Sequence, residues 1–292
     1  KESVPRTAAW HARAAAGKQA RLAAPLEDQA VFEPTELRAD PVELLGRQGP
    51  ARVQELLPIR YGRMVSSPFA FYRGAALVMA ADLATTPSSG LRVQLCGDAH
   101  LSNFGLFAAP DRSVVFDVND FDETHPGPFE WDVKRLATSF VLAARDNGLP
   151  DSIGLEAAMG AAAAYRESMA DFAQRRELDI WYDSIPVDNL IRQFEPADRG
   201  RLSTHIEKQA KARTSQGAFA KLTSMVDSRP RIDEDRPSRV AIDDEQDALT
   251  DQFLTGYRMP LREDRHFLFD RFTPVDVVRQ VVGLASVGMR VY

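Results

Sequence analysis

Gly97-Asp98-Ala99-His100-Leu101-Ser102-Asn103-Phe104-Gly105, followed by Val114-Val115-Phe116-Asp117-Val118-Asn119-Asp120-Phe121-Asp122-Glu123, is the stretch on which the fold reading turns. Leu91-Arg92-Val93-Gln94-Leu95-Cys96 alternates as a half-buried strand does and leads into the first acidic loop. Leu106-Phe107 and Val114-Val115-Phe116 read as neighbouring strands joined through Ala108-Ala109-Pro110-Asp111-Arg112, where Asp111 is a turn residue. Two loops rich in acids, amides and a histidine are thereby expected at adjacent strand ends.

Around this centre the chain reads as alternating helix and loop. Asp40-Pro41-Val42-Glu43 is a helix start, with Asp as cap and Pro at the first helical position. A helix is expected from Ala75 to Leu83, and another over Glu130–Arg145, where Trp131, Leu136, Phe140 and Val141 recur at the helical period. Pro126-Gly127-Pro128 reads as a link before that helix. Residues 152–176 form an Ala-rich helix, and 199–223 a further helix carrying Lys208, Lys211, Arg213 and Lys221. No aromatic platform interleaves with those charges, so a solvated face is preferred to an RNA-binding one. Asp227 to Asp244 reads as a loop and Asp276 to Tyr292 as β-like. No internal repeat or low-complexity tract is evident.

Composition narrows the class. With 292 residues and 44% apolar content the chain can bury a sizeable core. A net charge of −6 argues against a protein built mainly to coat nucleic acid, while local basic segments can still meet phosphates. The single cysteine, Cys96, excludes an intrachain disulfide framework and is expected to be a small buried apolar residue. No apolar run reaches bilayer length and Lys1–Arg21 lacks a signal-peptide core, so a cytoplasmic location is expected. The chain has no initiator Met and stops within a β-like segment, and is read as a fragment of a longer protein.

The two acidic loops suit phosphoryl transfer. An Asp followed five residues later by an Asn, then a second Asp leaving an apolar strand, is the spacing that holds a base and a magnesium ion against a nucleotide. Asp98 supplies the carboxylate near an acceptor hydroxyl, while Asn103 and Asp120 supply oxygen ligands. Asp117 and Asp122 flank Asp120 and read either as further metal ligands or as strand-end acids facing water. Arg60, Arg63 and Arg73 are second-rank phosphate ligands against a commoner structural role.

Gly97-Asp98-Ala99-His100-Leu101-Ser102-Asn103 resembles the Gly-Asp-x-His-x-x-Asn loop of the aminoglycoside and choline kinase-like phosphotransferases, and Asp120-Phe121-Asp122 resembles their magnesium-binding segment. Gly127-Pro128 and Trp131-Asp132-Val133-Lys134-Arg135-Leu136-Ala137 continue the likeness in register. More narrowly, Ser67-Pro68-Phe69-Ala70-Phe71-Tyr72-Arg73-Gly74, Asn119-Asp120-Phe121-Asp122-Glu123-Thr124 and Val282-Gly283-Leu284-Ala285-Ser286-Val287-Gly288 resemble domain of unknown function 2252, an uncharacterised bacterial family. The resemblance spans roughly residues 40 to 292. It implies an α+β, protein-kinase-like fold using Mg²⁺ and ATP. Asp98 would be the catalytic base and His100 the residue orienting its loop. Asn103, Asp120 and Asp122 would take the metal, Asp132 would steady the loop, and Gly283, Ser286, Gly288 and Arg73 would contact the nucleotide.

Residues 1–40, rich in Ala and Arg with scattered Pro, read as an N-terminal arm or short helices lying on a larger body, and the resemblance divides the rest. Residues 41–270 are a mostly helical catalytic lobe with a helical insertion around 150–226, and 271–292 begin an incomplete strand-rich lobe in permuted order. Ala285 stands where a glycine is expected, and none of Lys1, Lys18, Lys134, Lys208, Lys211 and Lys221 follows the glycine loop on a strand. Weak nucleotide binding is expected of this chain. Two other readings follow. One is a pseudokinase-like binding module. The other, ranked lower, is a metal-dependent phosphoesterase using Asp98, His100, Asp117, Asp120 and His125. Ser102 and Cys96 lack a convincing base to make them nucleophiles. The phosphate acceptor is not legible.

Overall fold

A computed structural model describes residues 7–212, 215–242, 244–281, 283 and 286–291. The chain is α+β, with helices predominating over small antiparallel two-stranded sheets. It divides into two compact units, one of Lys1–Gln48 with Tyr61–Pro196 and a second of Gly49–Arg60 with Ala197–Tyr292. Residues 271–292 thus belong with 197–270 in the second unit.

In the first unit, α1 (Ala8–Ala23) begins on Thr7, whose side chain accepts the Trp10 N–H. The Trp10 indole donates to Ala173 O at 3.0 Å, fixing this N-terminal helix to the unit. α2 (Pro41–Gln48) starts where the Asp-Pro pair predicts it, the Asp40 carboxylate accepting the Val42 and Glu43 N–H groups at 2.7 and 2.9 Å. α3 (Leu57–Met64) crosses the boundary between units. α4 (Pro68–Arg73) is capped by Ser67 and followed at once by α5 (Ala76–Leu83). A Cβ on the intervening Gly74 would lie 2.7 Å from the Met64 side chain, so glycine is what lets this corner close.

Four strands then build two hairpin-like ladders. β1 (Arg92–Leu95) pairs antiparallel with β4 (His125–Pro128), and β2 (Phe104–Ala108) with β3 (Val114–Val118), the two strands expected to be neighbours. The Pro126-Gly127-Pro128 link is therefore itself a strand. Proline is tolerated because each strand of a two-stranded sheet is an edge. A Cβ on Gly127 would come 2.4 Å from Leu95 Cδ1, so close cross-strand packing selects the glycine.

α6 (Phe129–Asp146) and α7 (Asp151–Phe172) form a helical hairpin through a short connection. They approach closely at Gly154, where an added Cβ would sit 2.9 Å from Val141 Cα. The buried positions of α6 include Arg135, Ser139 and Ala143, four residues apart, whereas the Trp131, Leu136, Phe140 and Val141 stripe is only half-buried. Two short helices, α8 (Glu177–Trp181) and α9 (Val187–Arg192), complete the unit.

The second unit contains α10 (Pro196–Ala212) and α11 (Ser215–Leu222), where sequence periodicity suggests one helix over 199–223. β5 (Thr223–Val226) and β6 (Arg229–Ile232) form a hairpin whose corner residues Asp227 and Ser228 have φ of 49° and 64°. Residues adopting that conformation make the tight turn that matches strand twist. β7 (Arg239–Ala241) pairs with β8 (Val278–Gln280). The expected loop over 227–244 thus carries two strands, because pairing partners supplied ladder bonds that its mixed charges and prolines conceal. α12 (Asp244–Arg258) and α13 (Glu263–Phe269) are joined by a two-pronged Arg258–Asp270 ion pair. Within the β-like C-terminal segment β8 is the one described strand. After it, Ser286–Met289 is a turn closed by Met289 N–H to Ser286 O at 2.9 Å.

Candidate functional site

β1 delivers the chain into the Asp98 loop through Gly97, whose φ is +84°. A side chain here would be strained and would drive its Cβ to 1.9 Å from Glu123 O. The first acidic loop therefore runs directly against the second. Cys96, buried as expected, donates its thiol to Asp120 O at 3.4 Å, and burial pushes the thiol up to about 11. Asn119 N–H donates to Asn103 O at 3.0 Å, tying the end of β3 to the far side of the Asp98 loop.

One face of α6 holds this loop at three successive points. The Asp132 carboxylate accepts the N–H groups of Cys96 at 2.7 Å and Gly97 at 3.1 Å, though burial leaves its pKa raised overall. Arg135 forms a close ion pair with Asp98. Ser139 accepts the Leu101 N–H at 2.9 Å and donates to Leu136 O. Residues i, i+3 and i+7 of a helix share one face, so a single rigid element sets the path from Cys96 to Leu101. The expectation that Asp132 steadies the loop matches this geometry. Arg135 and Ser139 escape a reading by motif, although their spacing from Asp132 on one helix is visible in the sequence.

Asp98 is 3% exposed and Arg135 equally so. Burial raises the Asp98 carboxyl to about 6 against the opposing pull of Arg135, with Glu123 and Asp120 adding to the rise. The guanidinium is itself fully engaged. It donates to Tyr72 O at 2.9 Å, touches Met79 Sδ, and lies 4.4 Å over the Tyr72 ring. The Tyr72 hydroxyl donates to Arg135 O, and burial pushes it to about 12. Such a cation–carboxylate pair in a dry site stands only when its remaining donors are satisfied.

His100 is 2% exposed, with Nε2 3.6 Å from Asp98 Oδ2. That distance is too long for a hydrogen bond. Burial first, then Arg135 and Arg73, push its pKa down to about 3, so the ring is neutral. Asn103 donates Nδ2 to Asp98 O at 2.9 Å, which leaves Oδ1 as its ligand atom. Asp120 is half-buried and Asp122 exposed. Burial and the neighbouring Asp122 raise the Asp120 pKa, and the Asp122 N–H approaches Asp120 Oδ1 at 3.3 Å. Asp117 is exposed and turned onto the Val118 N–H.

Asp98, His100, Asn103, Asp120, Asp122 and Arg73 all belong to the first unit, while Gly283, Ser286 and Gly288 belong to the second. Gly283 and Gly288 have φ of 60° and 87°, the conformation in which glycine is favoured. Gly288 O accepts the Val53 N–H at 2.7 Å, and Val287 O accepts from the Arg52 guanidinium. Ala285 lies outside the described residues. Arg60, in the second unit, is almost wholly buried. Among the described residues no three His, Cys, Asp or Glu side chains gather in a metal-binding group. No helix among them is long and apolar enough to cross a membrane.

The family model described as an uncharacterised protein conserved in bacteria, DUF2252, matches residues 52–292. The chain belongs to that family. No curated protein and no solved structure matches it. In this DUF2252 chain the match contains the Asp98 and Asp120 loops and the α6 residues that hold them.

Proposed function

We propose that this DUF2252 chain is a protein-kinase-like domain that transfers phosphate from Mg·ATP to an acceptor hydroxyl, with Asp98 as the base. The observation that carries the reading is the grip of Asp132, Arg135 and Ser139 on the Asp98 loop, together with its ties to the Asp120 loop. A base and cation ligands must be held in fixed relation for transfer, and this arrangement does so through one helix.

A carboxyl titrating near 6 is ionised at neutral pH and a better proton acceptor than an ordinary aspartate. Oδ1 is occupied by Arg135, which leaves Oδ2 to receive the acceptor's proton. Magnesium commonly takes only one or two carboxylates and completes its shell with phosphates and water, so the lack of a three-acid cluster does not conflict with it. Asp120, Asp122 and Asn103 Oδ1 fit that hard, oxygen-only preference; burial first, and then the neighbouring Asp122, raise the Asp120 pKa, and a cation would relieve the second of these. When bound, the ion would neutralise charge on the phosphates. Within the first unit, Arg73 is the proposed nucleotide contact.

The burial of Asp98 favours a second reading, a binding module of the same fold without transfer, since a base 3% exposed must be uncovered before an acceptor reaches it. Calorimetry and ADP release on the intact chain decide between them. Transfer requires Asp120→Ala to weaken Mg·ATP binding about tenfold or more, and Asp98→Asn to retain binding while losing turnover. Binding without turnover in the parent chain selects the binding module, and undiminished turnover in Asp98→Asn rules out Asp98 as base.

A further inference from the structure

The second unit contains a half-open cavity of about 720 Å³, within the size range of small-molecule sites. Its walls come from separate elements that each turn an apolar face inward. α11 contributes Phe219 and Leu222, three residues apart, and α12 contributes Thr250, Phe253 and Leu254, spaced i, i+3 and i+4 on one face. Ile232 of β6, opposite Thr223 of β5, and Val278 of β8 add to the lining. Phe219 is 54% exposed and Phe253 68%, so two phenyl rings of the wall face water. Covering that apolar area is favourable and drives the entry of an apolar occupant.

Most polar groups of the wall are already engaged. Thr223 donates its hydroxyl to Phe219 O at 2.7 Å, and Thr250 also has a partner. Asp276, the acid on the wall, accepts the Arg231 guanidinium at 2.8 Å on one oxygen and the Ile232 N–H at 2.7 Å on the other. Arg290 differs. It lines the cavity, exposed, and no described residue supplies it an acceptor, whereas Arg231, Arg258 and Arg279 of the same unit each pair with a carboxylate. The Gln280 N–H donates to Val291 O at 2.8 Å, so Gln280 and Arg290, both on the wall, stand at one edge of it.

We infer that this cavity is a binding site for an aliphatic monocarboxylate of the fatty-acid type, its chain against Phe219, Leu222 and Phe253 and its carboxylate on Arg290. A guanidinium fork matches the two oxygens of a carboxylate, and one cation offsets one negative charge. A phosphomonoester, with close to two charges, would leave one unmatched beside Asp276. A sugar or nucleoside would bury hydroxyls against walls whose own hydroxyls and acid are engaged. The acidic loops belong to the first unit, so this site is independent of the transfer reading.

Decanoate titrated into the intact chain, below its micelle concentration, tests this through the Ile232 methyl ¹³C signal assigned with Ile232→Val. The signal is expected to move saturably, while the methyl of Ile153, exposed in the first unit, does not follow the titration. Arg290→Gln should weaken decanoate binding about tenfold or more and leave decanol binding unchanged. If Arg290→Gln does not fold by circular dichroism, Arg290→Lys, which keeps the charge and loses the fork, must still weaken decanoate and spare decanol. No saturable shift in the parent chain, Ile153 moving with the same midpoint, decanoate affinity unchanged in the folded Arg290 variant, or decanol weakened equally with decanoate overturns the assignment. Tighter binding of decyl phosphate than of decanoate overturns it as well. Failure here leaves the transfer reading standing, because ATP and metal take no part in the titration.

Discussion

Two titratable residues in one loop carry opposite pH signatures. Asp98 is raised to about 6 in the folded chain, so its contribution to stability is full below the ordinary aspartate value and is lost as pH rises through about 6. His100 is lowered to about 3, so its contribution is present above the ordinary histidine value and is lost as pH falls toward about 3. Between these limits the two offset each other, and below the aspartate range His100 alone removes stability. His100→Gln should therefore flatten the acid limb of the stability–pH curve while Asp98→Asn steepens it, as read by urea denaturation from neutral pH to about pH 4. A curve unchanged in His100→Gln would show that the ring is not buried neutral. Gly97 belongs to the same scale. Its positive φ and its closeness to Glu123 O leave no room for a side chain where the two acidic loops meet.

The element that matters most is α6. An amphipathic surface helix normally buries an apolar stripe, yet this one buries Arg135 and Ser139 and leaves Trp131 and Phe140 half-buried. The face toward the loop is polar because backbone N–H groups of an irregular segment need acceptors that no ladder provides. Asp132→Ala would leave the Cys96 and Gly97 amides without the oxygens they now reach, at a cost of about 1–3 kcal/mol for each group that stays buried. Hydrogen exchange should consequently quicken at Cys96, Gly97 and Leu101 while the α6–α7 contact around Gly154 keeps its protection. Protection unchanged at Cys96 and Gly97 would mean that the loop holds its path without the helix. Much of this element was legible in the chain. Its span follows from periodicity, and Asp132 from the kinase-like register, but the inward turn of Arg135 has no local signal.

At the scale of the whole molecule the charge balance is the informative quantity. With 42 acids against 36 lysines and arginines, and many of the described arginines paired to carboxylates, the charge balance opposes displacement of counterions from a duplex. Fluorescence anisotropy at physiological salt is expected to show no binding of duplex DNA at concentrations up to about 10 µM, which lies within the usual range of about 1–100 µM for non-specific complexes. Saturable binding in that range would instead point to a local basic surface, the 199–223 segment first. The division into two units bears on function in the same way. The acidic loops and Arg73 fold within one of them, and the positive-φ glycines Gly283 and Gly288 within the other.

The sequence by itself determined what depends on near neighbours. The β2–β3 pairing, the capped start of α2 and the helical span of α6 follow from alternation, an Asp-Pro cap and a 3.6-residue period, all local preferences of the backbone. Motif spacing likewise placed Asp98, Asn103 and Asp120 at neighbouring strand ends. Only the tertiary structure decided how those residues are partnered. Asp98 meets Arg135 across 37 positions of chain, and Arg135 meets Tyr72 across 63. Pro126-Gly127-Pro128 became a strand because β1 lay open beside it. Arg73, from the same aromatic segment as Tyr72, has a buried Nε that finds no acceptor among the described residues. Which buried charge finds a counter-charge is a property of packing between distant segments, and no local pattern of residues encodes it.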